Sequence, residues 1–341
     1  MSAACSKPLP FAMVRCSSVD GGHCLVLVEG ADPENPMYAI DEETAKETSM
    51  EGHSDIRIIA VPYDSGHQDR RMGAGPQHLL DNGLAESLRQ GGLGASITTV
   101  RHEREPPAEV ATAFELQGLV SRQVRAAIDE GQLPLVLSGN CNTAAVGALA
   151  GAGSEDPGIV WFDAHGEFNT PETTTTGFID GMGLSMAVGH CWKEMAKGVP
   201  GFSPILEKNV IMVWVRAVDV AEQERFDASE ITVVGPDAEG QGLRALADAL
   251  DRLRSRVGSV YVHLDLDVLD AIKVGKANEY ATSEGMDVGQ LESALGMVRE
   301  RFAVAAAGIA SYDPSFDTDG RVLHAATAGA RVLTRPTSPA G

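Results

Sequence analysis

The chain has 341 residues, 43% of them hydrophobic, and a formal net charge of −21. That length can bury a large core, and the acidic balance disfavours nucleic acid and anionic lipid as partners, since both need clustered Lys and Arg. Five cysteines do not suggest a disulfide framework, no apolar run reaches the roughly 20 residues that span a bilayer, and the N-terminus lacks a signal-peptide pattern, so we expect a cytoplasmic protein.

The first 54 residues differ in composition from the rest of the chain. They contain three of the five cysteines and an acidic, Pro-containing stretch over residues 32–47. We predict that residues 1–54 form a weakly ordered or peripheral N-terminal extension, with Met50 as an alternative start. Residues 55–341 are predicted to form one domain.

From Ile56 onward, short β-branched runs alternate with amphipathic helical patterns. Eight runs are predicted to be strands: Ile56–Val61, Ser96–Val100, Leu133–Leu137, Ile159–Phe162, Val210–Val215, Ile231–Val234, Ser259–Leu264 and Ala303–Ile309. Four of the intervening segments have helical periodicity: Gln77–Arg89, Glu109–Glu130, Leu243–Val257 and Val288–Arg301. This alternation predicts a single three-layer α/β domain with an eight-stranded, mostly parallel sheet.

Polar side chains follow three of these strands. Asp163, His165 and Glu167 come at every second residue after one strand, and Asp265 and Asp267 follow another. After Leu133–Leu137, a glycine turn leads to Cys141. Because ligands of parallel α/β sheets bind beyond the carboxyl ends of the strands, we expect these side chains to converge on one rim.

Four or five carboxylates beside one imidazole repel one another unless cations compensate their charge. Divalent metal ions are the natural compensators, and an oxygen-rich donor set suits Mn²⁺ better than Zn²⁺ or Cu²⁺. Two such ions lower the pKa of water and favour hydrolysis. The sequence therefore predicts a two-metal hydrolase.

Each motif also has a structural interpretation when it is taken alone. A single Asp-x-His or Asp-x-Asp is more often a turn or a helix cap, and Cys141 alone is more often a small buried hydrophobe. His263 is predicted to be a buried histidine on the face of its strand opposite Asp265, and not a ligand. The joint occurrence at three strand ends favours a metal site.

At these residues the sequence resembles the arginase and agmatinase family, whose pattern includes Asp-Ala-His-x-Asp followed by Asp-x-Asp. The resemblance extends to the Pro62–Gly66 and Arg71–Pro76 loops and to the Phe168–Gly177 loop, and covers roughly Ile56 to Leu333. It implies an arginase-like fold, a binuclear metal site, and hydrolysis of a linear amidine or guanidino C–N bond. It also implies a homo-oligomer, a trimer or a hexamer.

The resemblance implies a role for each matching residue. One metal ion would be held by Cys141, Asp163, Glu167 and Asp265, and the other by Asp163, His165, Asp265 and Asp267. The family's contacts to an amino-acid-like substrate would fall on Asn169, Thr176, Asp219 and Glu222. Asp180 and His165 would be the catalytic residues that transfer protons.

Several positions depart from the family pattern. Cys141 replaces the usual first histidine and Glu167 replaces an aspartate, both at the same metal ion; the cysteine tilts that site toward Zn²⁺ or Fe²⁺ and resembles the hydroxyarginine-hydrolysing branch. Asp180 replaces a proton-shuttling histidine and Phe178 a polar substrate contact. Ser311 aligns with the glutamate that binds the guanidinium, which predicts that arginine is a poor substrate.

Three hypotheses follow. The first is an amidinohydrolase that uses two divalent ions, with a small guanidino, amidino or ureido compound as substrate. The second is an arginase-fold protein that has lost catalysis and has a binding or regulatory role. The third is a one-metal amide hydrolase, in which Asp163, His165 and Asp267 hold a Zn²⁺ ion.

Overall fold

The computed structural model describes residues 15–19, 23–27, 55–102, 108–154, 157–236 and 241–335. Within the predicted extension, it describes one antiparallel pair, Arg15–Val19 with His23–Leu27. The predicted order of residues 1–54 otherwise lies outside the described residues. No helix in the described ranges has the length and apolar character to cross a membrane.

All eight predicted strands form one sheet. The strands are β1 (Asp55–Val61), β2 (Gly94–Thr99), β3 (Gln132–Ser138), β4 (Gly158–Phe162), β5 (Val210–Val213), β6 (Thr232–Val234), β7 (Ser259–Asp265) and β8 (Ala303–Ala310). Their spatial order is β6-β5-β4-β7-β8-β3-β1-β2, and every described pairing in this sheet is parallel. The predicted α/β fold with an eight-stranded sheet is confirmed.

The alternation of side chains along these strands builds one core on each face of the sheet. In β7, Val262 and Leu264 belong to one hydrophobic cluster, and Tyr261 belongs to the other. Because both faces are covered by helices, the strands are apolar on both sides, as parallel sheets require. The domain is therefore three layers thick, as predicted.

The helices lie in the chain segments that connect successive strands, and the last helix follows β8. They are α1 (Gly75–Asp81), α2 (Leu84–Gln90), α3 (Glu109–Asp129), α4 (Cys141–Ala152), α5 (Gly183–Ala187), α6 (Lys193–Ala196), α7 (Val220–Asp227), α8 (Gly242–Arg254), α9 (Val288–Arg301) and α10 (Arg321–Thr334). The prediction of one helix over Gln77–Arg89 is wrong. The chain breaks into α1 and α2 because Gly83 adopts a left-handed φ of 87°, a conformation that ends a helix.

The turn between β3 and α4 depends on a close backbone approach. A Cβ atom at Gly139 would lie 2.3 Å from the Tyr63 carbonyl oxygen, which is closer than any side chain tolerates. Glycine at this position lets the chain turn tightly after β3. As a consequence, Cys141 begins α4 at the carboxyl edge of the sheet.

Candidate metal centre

The predicted ligands lie together because four neighbouring strands end at one edge of the sheet. Asp163 follows β4, Asp265 ends β7, Ser311 follows β8, and Cys141 comes shortly after β3. These strands are consecutive in the sheet, in the order β4-β7-β8-β3. Residues far apart in sequence therefore touch, and Cys141 Sγ lies 2.9 Å from Asp265 Oδ2.

One part of the site, which we call the histidine half, consists of Asp163, His165 and Asp267. His165 Nδ1 lies 3.1 Å from Asp267 Oδ2 and 3.5 Å from Asp163 Oδ1. Burial opposes protonation of the imidazole, but the two carboxylates outweigh it and raise the pKa of His165 well above its usual value. In the histidine half, the two carboxylates thus favour the protonated imidazole when no metal ion is bound.

Backbone and indole N–H groups fix the carboxylates of the histidine half. Trp161 Nε1 donates to Asp163 Oδ2 at 2.8 Å, and the His165 amide donates to Asp163 Oδ1 at 2.7 Å. The Ala164 amide donates to Asp267 Oδ1 at 3.1 Å. Each oxygen of Asp163 keeps a lone pair for a metal ion, because a carboxylate oxygen accepts two bonds.

The other part, which we call the cysteine half, consists of Cys141, Glu167 and Asp180. A donor atom from each lies within 4.8 Å of the other two. Burial, followed by repulsion from Asp163 and Asp180, raises the pKa of Glu167, and Glu167 Oε2 has no hydrogen-bond partner among the described residues. The cysteine half concentrates acidic groups and contains no base of its own.

Asp163 and Asp265 connect the two halves, since both lie within 4.8 Å of Cys141. Burial, then repulsion by Asp267, raises the pKa of Asp163 to about 6 and that of Asp265 well above its usual range. Packed carboxylates with raised pKa values are unfavourable without cations. The donor set of carboxylates, one imidazole and one thiol fits two divalent transition-metal ions.

A cavity of about 420 Å³ opens above this cluster. The residues predicted to bind substrate all line it: Asn169, Thr176, Asp219, Glu222 and Ser311. His165, Glu167 and Asp180 line it as well, whereas Cys141 and Asp163 are fully buried beneath its floor. The structure therefore brings every predicted site residue to one place.

The residues predicted to bind the amino-acid tail differ in how far their polar groups are already hydrogen-bonded within the protein. Glu222 accepts hydrogen bonds from the backbone amides of Phe168 at 2.7 Å and Asp219 at 3.4 Å, so it caps α7 and shapes the cavity wall. Asn169 Nδ2 donates to Asp219 Oδ2 at 3.3 Å. Asp219 is exposed. Asn169 and Asp219 thus offer a polar pair to a ligand.

Ser311 lies directly beside the cluster. Its hydroxyl oxygen is 3.2 Å from Cys141 Sγ, and its carbonyl oxygen accepts a hydrogen bond from Asn278 Nδ2 at 2.8 Å. It adopts a left-handed φ of 64°, which costs energy for a residue with a side chain. A neutral hydroxyl therefore occupies the position beside the cysteine half.

Sequence reasoning missed several residues that shape the site. Asn140 and Asn142 hydrogen-bond Asp180, and Trp161 hydrogen-bonds Asp163. The spacing of Trp161 two residues before Asp163 was a usable signal, because residues two apart share a strand face. The two asparagines flanking Cys141 gave no signal of their partner, which lies about 40 residues away in sequence.

The prediction that His263 faces away from Asp265 is wrong. Residues two apart in a strand share a face, so both point to the same side of β7. His263 is fully buried, with Nδ1 2.8 Å from the Tyr261 hydroxyl and its ring 4.1 Å from that of Trp161. Its predicted burial is confirmed, and it packs behind the indole that orients Asp163.

Comparison with known proteins identifies the family of this arrangement. A family model described as the arginase family matches residues 54–335. The chain belongs to the arginase family. It is 26% identical to the arginase of Bacillus caldovelox over 288 residues, covering 80% of this chain and 95% of that protein. It is 31% identical to the arginase of Bacillus subtilis strain 168 over 231 residues, covering 63% and 76% of the two chains.

Solved structures of the arginase family share the fold. The crystal structure of the Bacillus cereus arginase matches with a TM-score of 0.75 and 26% identity, covering 83% of this chain and 99% of that one. The agmatine ureohydrolase of Thermoplasma volcanium matches with a TM-score of 0.58 and 16% identity, which reflects the fold alone. The family uses a binuclear metal centre, and the donors that cluster in this arginase-family chain are suited to one.

Proposed function

We propose that this arginase-family chain hydrolyses a C–N bond of a small amidine-like or ureido compound with an amino-acid tail, using two divalent metal ions. The observation that carries the proposal is the convergence of six donor residues at and beneath the floor of one cavity: Cys141, Asp163, His165, Glu167, Asp265 and Asp267. When bound, two divalent ions supply hydrolytic chemistry, because they lower the pKa of water and polarise the bond under attack.

Different residues around the cavity would bind the substrate tail, the metal ions and a proton. Asp219 and Asn169 offer carboxylate and amide groups to the α-amino and α-carboxylate ends of a substrate. Asp163 and Asp265 lie between the two halves and would contact both ions. His165, paired with Asp267 and lining the cavity, is the side chain that can hold a proton near the reacting nitrogen.

Ser311 favours a substrate group that is less basic than the guanidinium of arginine. A cationic guanidinium over the metal ions needs a carboxylate opposite it, and a buried carboxylate contributes strongly to such binding. Ser311 offers a hydroxyl that already contacts Cys141. A ureido group is neutral, and N-hydroxyguanidine and formimino groups are less basic than guanidine, so these groups depend less on the missing counter-charge. The proposed substrates belong to these classes.

Steady-state assays of the Mn²⁺-loaded enzyme on arginine, agmatine and N-hydroxyarginine test this choice. We expect kcat/KM for N-hydroxyarginine to exceed that for arginine by roughly tenfold to a hundredfold. Ser311→Glu should shift the ratio toward arginine, whereas Ser315→Glu, at an exposed serine outside the cavity, should leave it unchanged. An arginine kcat/KM of about 10⁴ M⁻¹s⁻¹ or more would contradict the proposal.

Mn²⁺ is part of the proposal, because four of the six donor residues are carboxylates. Metal analysis of protein purified without added metal, followed by reconstitution with Mn²⁺, Zn²⁺ and Fe²⁺, checks it. Protein that holds no divalent ion under any of these conditions would instead support an arginase-fold protein without catalysis. Protein that holds one Zn²⁺ would support the one-metal hydrolase.

A further inference from the structure

We infer that Asp180 is a ligand of the metal ion in the cysteine half, where it acts with Cys141 and Glu167. Sequence reasoning assigned proton transfer to this residue, in place of a histidine. The inference rests on the metal-binding part of the proposed function and is independent of the substrate. It names a coordinating carboxylate beyond the six donors that the sequence predicted.

The position of Asp180 places it among the donors of this half. It begins a short 3₁₀ helix, Asp180–Met182, and is 4% exposed. One of its oxygens, one Glu167 oxygen and Cys141 Sγ lie within 4.8 Å of one another. That spacing matches groups that surround one ion, and two buried carboxylates so close together repel each other without one.

Glu167 gives an independent sign that a cation belongs here. Its side chain is nine-tenths buried and lines the cavity, yet Oε2 has no hydrogen-bond partner among the residues that the structure describes. Buried carboxylate oxygens are normally hydrogen-bonded or bound to a cation. The donors that cluster with Glu167 are a thiol and a second carboxylate, Cys141 and Asp180. A metal ion shared with Asp180 satisfies this oxygen.

The hydrogen bonds of Asp180 leave room for a single further partner. Its Oδ1 accepts from the Asn142 backbone amide and from Asn142 Nδ2, each at 2.9 Å. Among the residues that the structure describes, its Oδ2 accepts only from Asn140 Nδ2, at 2.8 Å. A carboxylate oxygen accepts two bonds, so Oδ1 is filled and Oδ2 keeps one lone pair. That lone pair is available to an ion held by Glu167 and Cys141.

The orientation of the Asn140 amide is fixed independently of Asp180. The Ser65 backbone amide, which can only donate, lies 2.9 Å from Asn140 Oδ1. The oxygen of Asn140 therefore faces Ser65, and its NH₂ group faces Asp180. Three N–H donors thus hold the Asp180 carboxylate in one place, as outer partners hold metal-ligating carboxylates.

This assignment explains how a metal ion can be held despite Cys141. A thiolate is a softer donor than the imidazole it replaces and weakens a site for hard ions such as Mn²⁺. Glu167 and Asp180 together supply two hard oxygen donors next to the sulfur. The cysteine half then combines one sulfur with several oxygens, a set that suits first-row divalent transition metals.

Metal titration of Asp180→Asn tests the inference. Mn²⁺ and Co²⁺ binding to metal-free protein, followed by calorimetry and by metal content after dialysis, should show one of the two sites weakened by roughly tenfold or more. Glu167→Gln should weaken the same site. The matched control is Asp317→Asn: Asp317 is a buried carboxylate that accepts from the Tyr312 hydroxyl and from α10 backbone amides and is not among the clustered donors. It should keep both sites at wild-type affinity.

A spectroscopic measurement separates ligation from a structural role. At saturating Co²⁺, the thiolate-to-cobalt charge-transfer band of Cys141 and the d–d bands report the ligands of this site, and Asp180→Asn should change both. A residue that only supports the Asn140–Asn142 turn would change the melting temperature of metal-free protein but not these bands. Two wild-type-affinity sites and an unchanged cobalt spectrum in Asp180→Asn would overturn the inference.

A crystal structure of the metal-loaded wild-type protein provides the test if the variant does not fold. Anomalous scattering at the metal edge locates the ion, and Asp180 Oδ2 should lie about 2.0–2.2 Å from Zn²⁺. An ion bound by Cys141 and Glu167 with Asp180 more than about 3 Å away would exclude the role. Neither readout depends on turnover, so a failure of the substrate proposal leaves this test intact.

Discussion

The histidine half and the cysteine half both bury carboxylates close together, but they differ in the groups that lie beside those carboxylates. In the histidine half, His165 Nδ1 lies 3.1 Å from Asp267 Oδ2, so a protonated imidazole can compensate part of the carboxylate charge when no metal ion is bound. In the cysteine half, Glu167 and Asp180 are buried beside Cys141 without a basic partner in the cluster. The comparison teaches that an imidazole lies beside the carboxylates of the histidine half, whereas the clustered donors of the cysteine half are two carboxylates and a thiol.

The difference coincides with the departures from the family pattern. Cys141 and Glu167, which replace a histidine and an aspartate, belong to the cysteine half, while the Asp163, His165 and Asp267 positions follow the pattern. Exchanging an imidazole for a thiol removes the group that can carry a positive charge. In the same half, Glu167 Oε2 has no hydrogen-bond partner among the described residues.

Removing a carboxylate that contacts both halves should have the largest effect. Asp163→Asn and Asp265→Asn should each abolish stoichiometric metal binding, with a loss of at least about a hundredfold in affinity, since each variant loses a charge shared by two ions. Metal content and the melting temperature in excess Mn²⁺ measure this. Asp248→Asn, an exposed aspartate on α8, is the control. Wild-type metal content and melting in both variants would rule out the two-metal site.

Removing the indole donor of Asp163 should weaken metal binding less than removing the Asp163 carboxylate itself. Trp161→Phe deletes the 2.8 Å hydrogen bond to Asp163 Oδ2 and should lower metal affinity by about tenfold to a hundredfold. Calorimetric titration with Mn²⁺ measures the change. Trp192→Phe, whose indole contacts Met182 Sδ outside the cluster, serves as the matched control. Equal affinities for the two variants would show that Asp163 needs no indole.

The stability of metal-free protein should rise as the pH falls from 7 to 5.5. The pKa of Asp163 is raised to about 6 and that of Glu167 is also raised, so the folded state keeps protons that the unfolded chain releases above about pH 4. This stabilisation is complete below about pH 4 and disappears as the pH rises through the folded-state values. His165, whose pKa is raised too, acts in the same direction above about pH 6.5, and its contribution is complete below that value. His263 opposes the trend below about pH 6.5, because burial lowers its pKa to about 3.

Urea denaturation in a chelator at pH 5.5 and 7 measures this effect, which we expect to be on the order of 1 kcal/mol. Metal-loaded protein should respond in the opposite direction, because protons compete with metal ions for the same ligands. Glu167→Gln should remove the contribution of Glu167 to this pH dependence of stability and leave the contribution of His165 unchanged. An identical pH dependence for Glu167→Gln and the wild-type protein would contradict the raised pKa of Glu167.

Restoring a histidine should make the two halves more alike and have the smallest effect. Cys141→His should raise Mn²⁺ occupancy of the weaker site by a few-fold, roughly less than tenfold, because imidazole is a harder donor than thiolate. Metal content at limiting Mn²⁺ measures it, with Cys191→His, at a buried cysteine outside the cluster, as the control. Two ions per chain before and unchanged occupancy after the substitution would show that the thiol is an adequate ligand.

The amino-acid sequence determined the fold and the identity of the predicted metal ligands. Eight β-branched runs that alternate with amphipathic segments favour a parallel sheet covered by helices on both faces. All eight runs formed strands of one sheet. Donors spaced by two residues at strand ends, such as Asp163 and His165, were visible because local spacing fixes their direction. The break at Gly83 was missed because the helical periodicity continues through it.

Tertiary structure alone decided how the two halves differ. The partners of Asp180 are the Asn140 and Asn142 amides, about 40 residues away, and the orientation of Asn140 is set by Ser65, on a further loop. No local pattern records such contacts, because they form only when separate strand ends meet at one edge of the sheet. The unpartnered oxygen of Glu167 has the same origin: it depends on which neighbours the fold brings to a buried carboxylate.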